Sequence, residues 1–541
     1  MSQKDTIQPA VNSADKPRKA GAAGRFALKS LGEKIFVALT LLVMVVPAAS
    51  ALTPLPWFAD PSEITAEDPD ATHKAFPLAQ LKQAGDYFES HFPARGPMIS
   101  ATATLKSRLF HTAANNQVII GSDGWLYYAA TLDDYLGRRT MSERSVRNAA
   151  QNLKLLSDNL ESRGVQLVVA IAPNKATLYP EHLPSRYLPG NPQDSNLQRL
   201  QSQLKALSVN YVDLDSALRQ AKVAMPILPG AGRSAKPELY QKTDTHWDYR
   251  GAWVAADAIE TALGTENVVR TPRWKPDPGF TGDIALMLTP TGAAPEPNWV
   301  SVDANDGPEY TGRLWTFAHS AASDVTADYF ATNGVGADTL FVFRDSFGNS
   351  LVPMLSPSYA KTYYSKLVPY DMGTALSSGA KAIVIERAQR HLDFFATDPA
   401  VIPSLYGSLA NYRVKRPETG DPGLAGDKHA QPGQKNFGDI GTTPAPTVTP
   451  DGPYQVISGE IPESLRQPDV AVYLRAIPKN AAASHSIPTV YRGYDVTTKA
   501  SDFGYRFFLT DTDFATYGRI EMVAVSAKFG GNAYIFASLP M

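Results

Sequence analysis

The stretch VQLVVAIAPNK (Val165–Lys175) decides the fold class. Apart from Gln166, every residue up to Ala172 is apolar, so the run lacks the alternation of a half-exposed strand. A short apolar run of this kind predicts a strand that is buried on both faces, as strands are in parallel sheets.

The segments around this run predict alternating helices and strands. An amphipathic helix is expected before it, with Ser142 as its N-cap and Gly164 as its stop. Two further apolar runs, DTLFVFRDSF (Asp338–Phe347) and GAKAIVIERA (Gly379–Ala388), predict more strands. Strands that alternate with helices indicate an α/β layered domain with a mainly parallel sheet, from about residue 100 to residue 413.

The chain is too long for one hydrophobic core. It has 541 residues, of which 43% are apolar and 19% charged, so we expect two folded units and tails. Residues 414–452 are dense in Pro, Gly and Thr, which predicts a linker. Six short alternating runs within 453–541 predict a small β-sandwich.

Charge and cysteine content exclude some classes of function. The net charge is −2, and we find no long basic run beyond the N-terminus, which argues against nucleic-acid binding. The chain has no cysteine, which excludes disulfides, thiol chemistry and cysteine-ligated metals.

The N-terminal region predicts export. Residues 1–34 form a basic tail, expected in the cytoplasm, and an apolar run follows at 35–58. The core Ile35–Val46 with the small residues Ala49–Ala51 is typical of a cleaved signal peptide. Extended to Leu52, the run is long enough for a spanning helix. The long basic tail favours a retained signal anchor, so we expect a periplasmic protein anchored to the inner membrane.

The stretch LFVFRDSFGNS (Leu340–Ser350) supplies a candidate nucleophile. Sites in open α/β sheets lie at the carboxyl ends of the strands. Ser346 would present its hydroxyl there, Gly348 would allow close approach, and N–H groups of the following helical turn would bind an oxyanion. The alternative is a simple helix N-cap. Asp345 is adjacent, but neighbouring residues on a strand face opposite ways, so we do not expect it to orient a base.

The stretch TDTHWDYRGAW (Thr243–Trp253) supplies a candidate base. If the segment is extended, Asp244 and His246 lie on one face. The carboxylate would then accept the Nδ1–H and leave Nε2 as a general base. The alternatives are a polar surface loop, a histidine capping a helix that begins near Gly251, or a metal site with Asp248 as third ligand.

Five ordered motifs resemble the alginate O-acetyltransferase family of the AlgX/AlgJ type, whose domains are SGNH-hydrolase-like. The segment D-x-H-W is followed about 100 residues later by a strand ending in R-D-S-F. The other three motifs are IIGSDGWLYY (119–128), VVAIAPNKATLYPEHLP (168–184) and IVIERAQR (383–390). The resemblance covers roughly residues 70–413 and leaves out residues 1–34 and the C-terminal β-rich segment.

The resemblance implies a catalytic set. Ser346 would be the nucleophile that carries the acetyl group, His246 its base and Asp244 the carboxylate that orients the base, because a serine hydroxyl is a weak nucleophile without a base. The acceptor would be a hydroxyl of a secreted exopolysaccharide, alginate-like or cellulose-like. An O-acetylesterase with the same triad and a non-catalytic glycan-binding scaffold are the alternatives.

The resemblance also implies substrate contacts and partners. The expected substrate-binding residues are Arg344, Lys175, Trp247 and Tyr179, for which ion pairs or core packing are the alternatives. Trp125 is expected to pack beneath the site, and Glu386 and Arg387 to pair near it. No cofactor or metal is expected. The family implies a membrane-bound O-acyltransferase as supplier of acetyl, and other members of a polymer-export complex as partners. Carbohydrate binding is one role expected for the β-sandwich.

Overall fold

The structure, a computed structural model, describes residues 95–541 with gaps, together with seven helical positions between 34 and 45. The gaps are 111–112, 114, 139, 188–194, 225–237, 267, 269–273, 291–292, 302–328, 333, 404, 416–444 and 480–486. The chain divides into two compact units, Met1–Ile99 and Ser100–Met541.

The predicted anchor or signal segment, 35–58, and the residues up to 94 lie outside the described part of the chain, apart from those few helical positions. No helix among the described residues is both long enough and apolar enough to cross a membrane.

Nineteen strands are described. They are β1 (Val118–Ile120), β2 (Leu126–Tyr128), β3 (Gln166–Ala172), β4 (Tyr211–Val212), β5 (Trp274–Phe280), β6 (Glu296–Ser301), β7 (Tyr329–Thr332), β8 (Thr339–Phe343), β9 (Lys361–Ser365), β10 (Ala382–Ala388), β11 (Arg413–Lys415), β12 (Thr447–Asp451), β13 (Tyr454–Glu460), β14 (Ala471–Pro478), β15 (Thr489–Arg492), β16 (Tyr494–Val496), β17 (Gly504–Thr510), β18 (Tyr517–Val525) and β19 (Asn532–Pro540).

The α-helices from residue 95 onward are α1 (Arg95–Phe110), α2 (Leu132–Tyr135), α3 (Glu143–Glu161), α4 (Lys175–Leu178), α5 (Asn196–Ala206), α6 (Leu214–Ala224), α7 (Tyr249–Leu263), α8 (Asp283–Leu288), α9 (Val352–Leu355), α10 (Met372–Ser377), α11 (Phe394–Thr397) and α12 (Asp511–Thr516).

The central sheet has the order β4-β3-β10-β8-β9-β7. Its first five strands are parallel, and only β7 runs antiparallel, against β9. Strand β3 lies inside the sheet and is buried at every position after Gln166. The prediction of a doubly covered, mainly parallel sheet is confirmed. Because β3, β8 and β10 are parallel, the residues that follow them meet at one edge.

Helix α3 is confirmed with the predicted signals. The hydroxyl of Ser142 accepts from the N–H of Ser145 at 2.9 Å, and Gly164 has a φ of +71°, in the left-handed region that glycine favours. Its apolar face recurs at helical spacing and is buried at Val146, Ala149, Ala150, Leu153, Leu156 and Leu160.

The C-terminal region is a sandwich of two sheets, as predicted. One sheet has the order β11-β19-β18-β14-β15 and the other the order β12-β13-β17-β16. TVYRGYDV (489–496), one of the six alternating runs that predicted strands, forms β15 in one sheet and β16 in the other. The chain crosses at Gly493, where a Cβ atom would lie 2.6 Å from the Phe507 ring, so only glycine fits without a shift.

Two strands fall inside the segment 414–452 that we expected to be a linker. Strand β11 ends within it and pairs with β19, and β12 pairs with β13. The proline content misled the prediction, because Pro450 stands in an edge strand, where a missing N–H is tolerated. The remainder of that segment, 416–444, lies outside the described residues.

The sandwich packs directly on the α/β domain. Val456, Tyr494, Val496 and Phe508 belong to the same buried cluster as Val146 of α3. Polar contacts continue this seam.

Arg144 of α3 is the main polar link across the seam. It donates to the carbonyls of Pro468 and Val470, each at 2.8 Å, and lies 3.7 Å from the carboxylate of Asp495. Asn152 donates to the Asp495 carbonyl at 2.9 Å and accepts its N–H at 3.1 Å. The α/β domain and the sandwich therefore share buried contacts and are not joined by the chain connection alone.

Candidate active site

The structure brings Asp244, His246 and Ser346 together in one hydrogen-bonded chain. Nδ1 of His246 lies 2.6 Å from Oδ1 of Asp244, and Nε2 lies 2.8 Å from Oγ of Ser346. An ionised carboxylate can only accept, so Nδ1 carries the proton and Nε2 of the neutral ring accepts from the serine hydroxyl. This is the arrangement in which an imidazole can take a proton from a hydroxyl.

Asp244 is held as a carboxylate. It also accepts the N–H of His246 at 2.9 Å and, through Oδ2, the N–H of Asp283 at 2.8 Å. Burial raises the pKa of Asp244, but the hydrogen bond and charge of His246 and the two N–H donors outweigh it, so its pKa lies below the usual value. The charge needed to stabilise an imidazolium is therefore present.

The Asp–His pair is formed by a bent loop and not by the extended segment we expected. The loop is closed by a bridge between Tyr240 and Trp247. The N–H of Gln241 donates to the carbonyl of His246 at 3.2 Å. Asp244 reaches His246 because the chain turns between them.

Ser346 follows β8 at the carboxyl edge of the sheet, and Phe347–Leu351 form a 3-10 turn after it. Among the described residues its hydroxyl bonds to His246 and makes no capping bond to that turn, so the N-cap alternative is wrong. Two turn N–H groups are already engaged, since that of Phe347 donates to Asp345 at 2.9 Å and that of Asn349 to the Ser346 carbonyl at 3.2 Å. The expected oxyanion site cannot use those two donors.

Asp345 supports the turn and takes no part in the hydrogen-bonded chain. Its second oxygen accepts the N–H of Ala388 at 2.8 Å, which ties the turn after Ser346 to the end of β10. Gly348 is required for a different reason from the one expected. A Cβ there would lie 2.5 Å from Cβ of Arg344, so the close approach is to that side chain and not to a ligand.

Asp248 does not join the site. It is the N-cap of α7, which begins at Tyr249, and its other oxygen pairs with Arg250 in a buried ion pair. The metal set with Asp248 and the capping role for His246 are therefore wrong. Asp283 stands nearer instead: Asp244, His246 and Asp283 offer ligand atoms within 4.8 Å of one another, but Nδ1 of the imidazole is already bonded to Asp244.

The four residues expected to bind substrate are buried behind the site. Arg344 is 1% exposed and donates to the side-chain oxygen of Asn349 at 2.5 Å and to the Asp345 carbonyl at 3.1 Å. Lys175 is 4% exposed and points at the loop that carries Asp244. The resemblance implied that both cations contact substrate, but in this structure they bond to oxygen atoms of the protein itself.

The two aromatic candidates are also core residues. The indole N–H of Trp247 donates to the carbonyl of Phe347 at 3.1 Å, which joins the segment after His246 to the turn after Ser346. The hydroxyl of Tyr179 accepts the N–H of Leu239 at 2.7 Å, and its ring stacks on Trp125 at 4.5 Å. Trp125 is fully buried, as expected.

Glu386 and Arg387 bond to neighbours on opposite faces of β10. Glu386 accepts the N–H of Asp345 at 3.2 Å, and burial, with the nearby charge of Asp345, raises its pKa well above the usual value. Arg387 donates to the hydroxyl of Tyr370 at 3.0 Å. Of the two, only Glu386 contacts the segment that carries Ser346, among the residues that the structure describes.

Sequence reasoning missed Asp283 and Glu296. Asp283 opens α8, and its carboxylate accepts the N–H of Thr245 at 2.7 Å and its hydroxyl at 2.6 Å. Burial and the charge of Asp244 raise the pKa of Asp283. Glu296 of β6 accepts the N–H groups of Lys242 and Thr243. Asp283 begins the short helix α8 and Glu296 begins strand β6, and neither element was predicted from the sequence.

The site is open enough for chemistry. The His246 side chain is 25% exposed, and Ser346 is half-buried. An acyl group could therefore reach the hydroxyl while the carboxylate behind the imidazole stays buried.

Part of the chain is similar to proteins of known family. Residues 118–277 match the family model described as "SGNH hydrolase-like domain, acetyltransferase AlgX". This span includes Asp244 and His246 and ends before Ser346.

Among relatives, "Probable alginate O-acetylase AlgJ" of Pseudomonas putida is 27% identical over 188 residues, or 35% of this chain and 44% of the relative. The Pseudomonas aeruginosa protein of the same name is 28% identical over 186 residues, or 34% and 43%. The matches thus span less than half of either relative.

Among solved structures, the O-acetyltransferase domain of Pseudomonas putida AlgJ is similar at 21% identity. The superposition covers 52% of this chain and 93% of that one, with a TM-score of 0.32. Residues 118–277 are thus similar to the SGNH hydrolase-like acetyltransferase domain of the AlgX type, and the relatives that this chain resembles carry the name AlgJ.

Proposed function

We propose that this protein is an O-acetyltransferase that moves an acetyl group through Ser346 onto hydroxyls of a secreted exopolysaccharide. The observation that carries the proposal is the continuous hydrogen-bonded chain from Asp244 through His246 to Ser346. The family match and relatives named as alginate O-acetylases support acetyl as the group and a polysaccharide as the acceptor. An alginate-like and a cellulose-like polymer both fit the proposal.

The reaction has two half-reactions. In the first, Oγ of Ser346 attacks the acetyl carbonyl while Nε2 of His246 takes the hydroxyl proton, and that proton then passes to the leaving group of the donor. In the second, a sugar hydroxyl gives its proton to Nε2 and attacks the acetyl-serine, and the serine leaves with that proton. Asp244 stabilises the imidazolium in both steps.

An O-acetylesterase is the second candidate, because water can replace the sugar in the second half-reaction. The side chain of His246 is partly exposed, so water can approach the acetyl-serine, which supports this alternative. Transfer to a sugar requires that water be kept out while the sugar binds. The two differ only in the acceptor.

The proposal is tested with 4-nitrophenyl acetate as donor and intact-protein mass spectrometry. We expect the wild-type protein to gain the mass of one acetyl group and Ser346→Ala to gain none, because no other hydroxyl is bonded to His246 Nε2 among the described residues. Ser350→Ala, in the same turn, is the matched control and should label as the wild type does. Labelling of Ser346→Ala would refute Ser346 as nucleophile.

The same reaction with soluble alginate present separates transferase from esterase. Acetyl gained by the polymer supports transfer, and acetyl lost from a pre-acetylated polymer supports the esterase. Repeating the assay with a soluble cellulose derivative distinguishes the two polymer classes.

We further propose that the protein works at the periplasmic face of the inner membrane. The basic tail 1–34 followed by the apolar run 35–58 supports export. A membrane-bound O-acyltransferase would supply the acetyl group across the membrane, within a polymer-export complex. Topology mapping with a reporter fused after residue 58 tests the location.

A further inference from the structure

The loop Gln241–His246, here called the base loop, carries both Asp244 and His246 and has almost no regular structure of its own. Such a loop can hold a carboxylate at 2.6 Å from an imidazole only if its main chain is fixed by other groups. The structure shows what these groups are: three charged side chains from three different elements.

Lys175, the first residue of α4, binds the carbonyl side of the base loop. Its Nζ donates to the carbonyls of Gln241 at 3.1 Å, Lys242 at 2.9 Å and Asp244 at 2.6 Å. The rings of Trp125 and Tyr127 lie 5.6 Å and 5.4 Å from the ammonium. All three N–H bonds of an ammonium are thus directed at the loop.

Two carboxylates bind the N–H side of the same loop. Glu296 accepts from the N–H of Lys242 at 3.0 Å and of Thr243 at 2.8 Å, and also from the Thr243 hydroxyl. Asp283 accepts from the N–H of Thr245 at 2.7 Å. The main chain on either side of Asp244 therefore has charged partners on both its donor and its acceptor groups.

We infer that Lys175, Glu296 and Asp283 are positioning residues that together hold the base loop in the form in which Asp244 orients His246. The inference rests on the proposed function for its kinetic consequence, but its structural part concerns only the Asp244–His246 hydrogen bond. None of the three is bonded to Ser346 among the described residues. Lys175 and Glu296 act through the main chain of the loop, whereas Asp283 also donates its N–H to Asp244 and lies 3.9 Å from Nδ1 of His246.

The geometry requires the protonated form of Lys175. A neutral amine has two N–H bonds, so it would leave one of the three carbonyls facing a lone pair. Burial lowers the pKa of Lys175 to about 7, against the opposing charges of Asp244, Glu296 and Asp283. The loop is therefore fully held below that pH and loses one of its bonds as the pH rises through it. We expect the acylation rate to fall on this alkaline limb.

The test replaces Lys175 by methionine, which keeps the length of the side chain and removes the donors. With 4-nitrophenyl acetate, we expect kcat to fall about 10- to 100-fold with KM little changed, because the ester still binds but the base is misplaced. The alkaline limb should also disappear from the profile of the residual rate.

Lys222→Met is the matched control. Lys222 also donates to a main-chain carbonyl, that of Leu178 at 2.7 Å, and lies 3.9 Å over the ring of Tyr179, but it holds no part of the base loop. The control should leave kcat and the pH profile unchanged. An equal loss in both variants would overturn the inference.

A second readout does not depend on activity. In protein labelled with 15N-histidine, the Nδ1–H bonded to Asp244 should give a strongly deshielded proton signal. We expect this signal to be lost or shifted upfield in Lys175→Met and in Glu296→Gln, and to persist in Lys222→Met and in Ser346→Ala. If Lys175→Met does not fold, Glu296→Gln alone decides.

These outcomes separate the two proposals. A signal that persists unchanged in both loop variants refutes the positioning role, whatever the enzyme does. A wild-type protein that shows the signal and its loss in the variants, but acquires no acetyl group, refutes the proposed function and leaves the positioning role standing.

Discussion

At the scale of single residues, the site depends on one carboxylate that serves two purposes. Oδ1 of Asp244 accepts both the main-chain N–H and the ring N–H of His246, so it fixes the loop and the tautomer together. Oδ2 accepts from Asp283 and leaves the carboxylate little freedom to rotate.

Asp244→Asn should therefore lower the acylation rate by about 10³- to 10⁴-fold, because an amide nitrogen facing Nδ1 would favour the wrong tautomer of the imidazole. Release of 4-nitrophenol in a stopped-flow instrument measures this rate. Asp257→Asn, on the exposed face of α7, should behave as the wild type. A loss of less than tenfold in Asp244→Asn would argue against an orienting carboxylate.

The residue types of the hydrogen-bonded chain could be predicted from the sequence, but their surroundings could not. Asp244, His246 and Ser346 were picked out because their chemistry is specific. Lys175 and Arg344 do lie near the site, but they were expected to contact substrate and instead bond to oxygen atoms of the protein. A sequence does not show whether a cation faces solvent or a set of buried carbonyls.

At the scale of elements, the beginning of α8 determines how closely it can approach the base loop. Gly282 stands immediately before Asp283, and a Cβ atom there would lie 2.2 Å from the carbonyl oxygen of Thr243 and 2.7 Å from the N–H nitrogen of Asp244. These are main-chain atoms, so neither a rotamer change nor a small shift would relieve the contact.

We expect Gly282→Ala to push α8 away from the base loop and to lower kcat about 10- to 100-fold, since small displacements of catalytic groups are costly. Gly452→Ala is the control: its φ of +55° makes it strained, but nothing lies within 4 Å of the new methyl group. Rates are compared at the same interval below the melting temperature of each protein. A lower rate in Gly282→Ala then reports misplacement and not loss of stability. A Gly282→Ala enzyme with the wild-type rate would show that α8 does not set the loop.

The regular helices and strands could be predicted from the periodicity of apolar residues, but the points where the chain departs from a regular element could not. The apolar runs of β3, β8 and β10 and the amphipathic face of α3 are strong local signals. The run across Gly493 alternates like a single strand, so its pattern did not reveal that the chain changes sheet there. The change depends on the close packing of Phe507 against Gly493, which local pattern does not show.

At the scale of the whole molecule, the seam places residues of the α/β domain and of the sandwich in one buried cluster, so we expect the two parts to unfold together. Periodicity could predict that α3 has a buried face but not that β16 covers part of it, because the partner comes from more than 300 residues further along the chain. Residues 414–452 were expected to be a linker between two folded units, and no local pattern shows that the two units share buried residues.

Arg144→Met should lower the free energy of unfolding by about 2–4 kcal/mol, because two buried carbonyls and part of the Asp495 carboxylate lose a charged donor. Calorimetry should show one transition in both proteins, at a lower temperature in the variant. The control Lys154→Met removes a more exposed pair with Asp158 on the same helix and should cost less than about 1 kcal/mol. Two separate transitions in the wild type would contradict a shared core.

Helix α3 is synthesised early, but part of its apolar face is covered only by the C-terminal sandwich. A ribosome adding about 5–20 residues per second needs roughly 20–70 s to pass from the end of α3 to Phe508, which completes the cluster at the seam. Throughout that interval the part of the α3 face that the sandwich later covers lacks its partner, and exposed apolar surface of this kind aggregates. The yield of folded protein should therefore depend on chaperones that bind unfinished chains, and slowing translation should lower that yield rather than raise it.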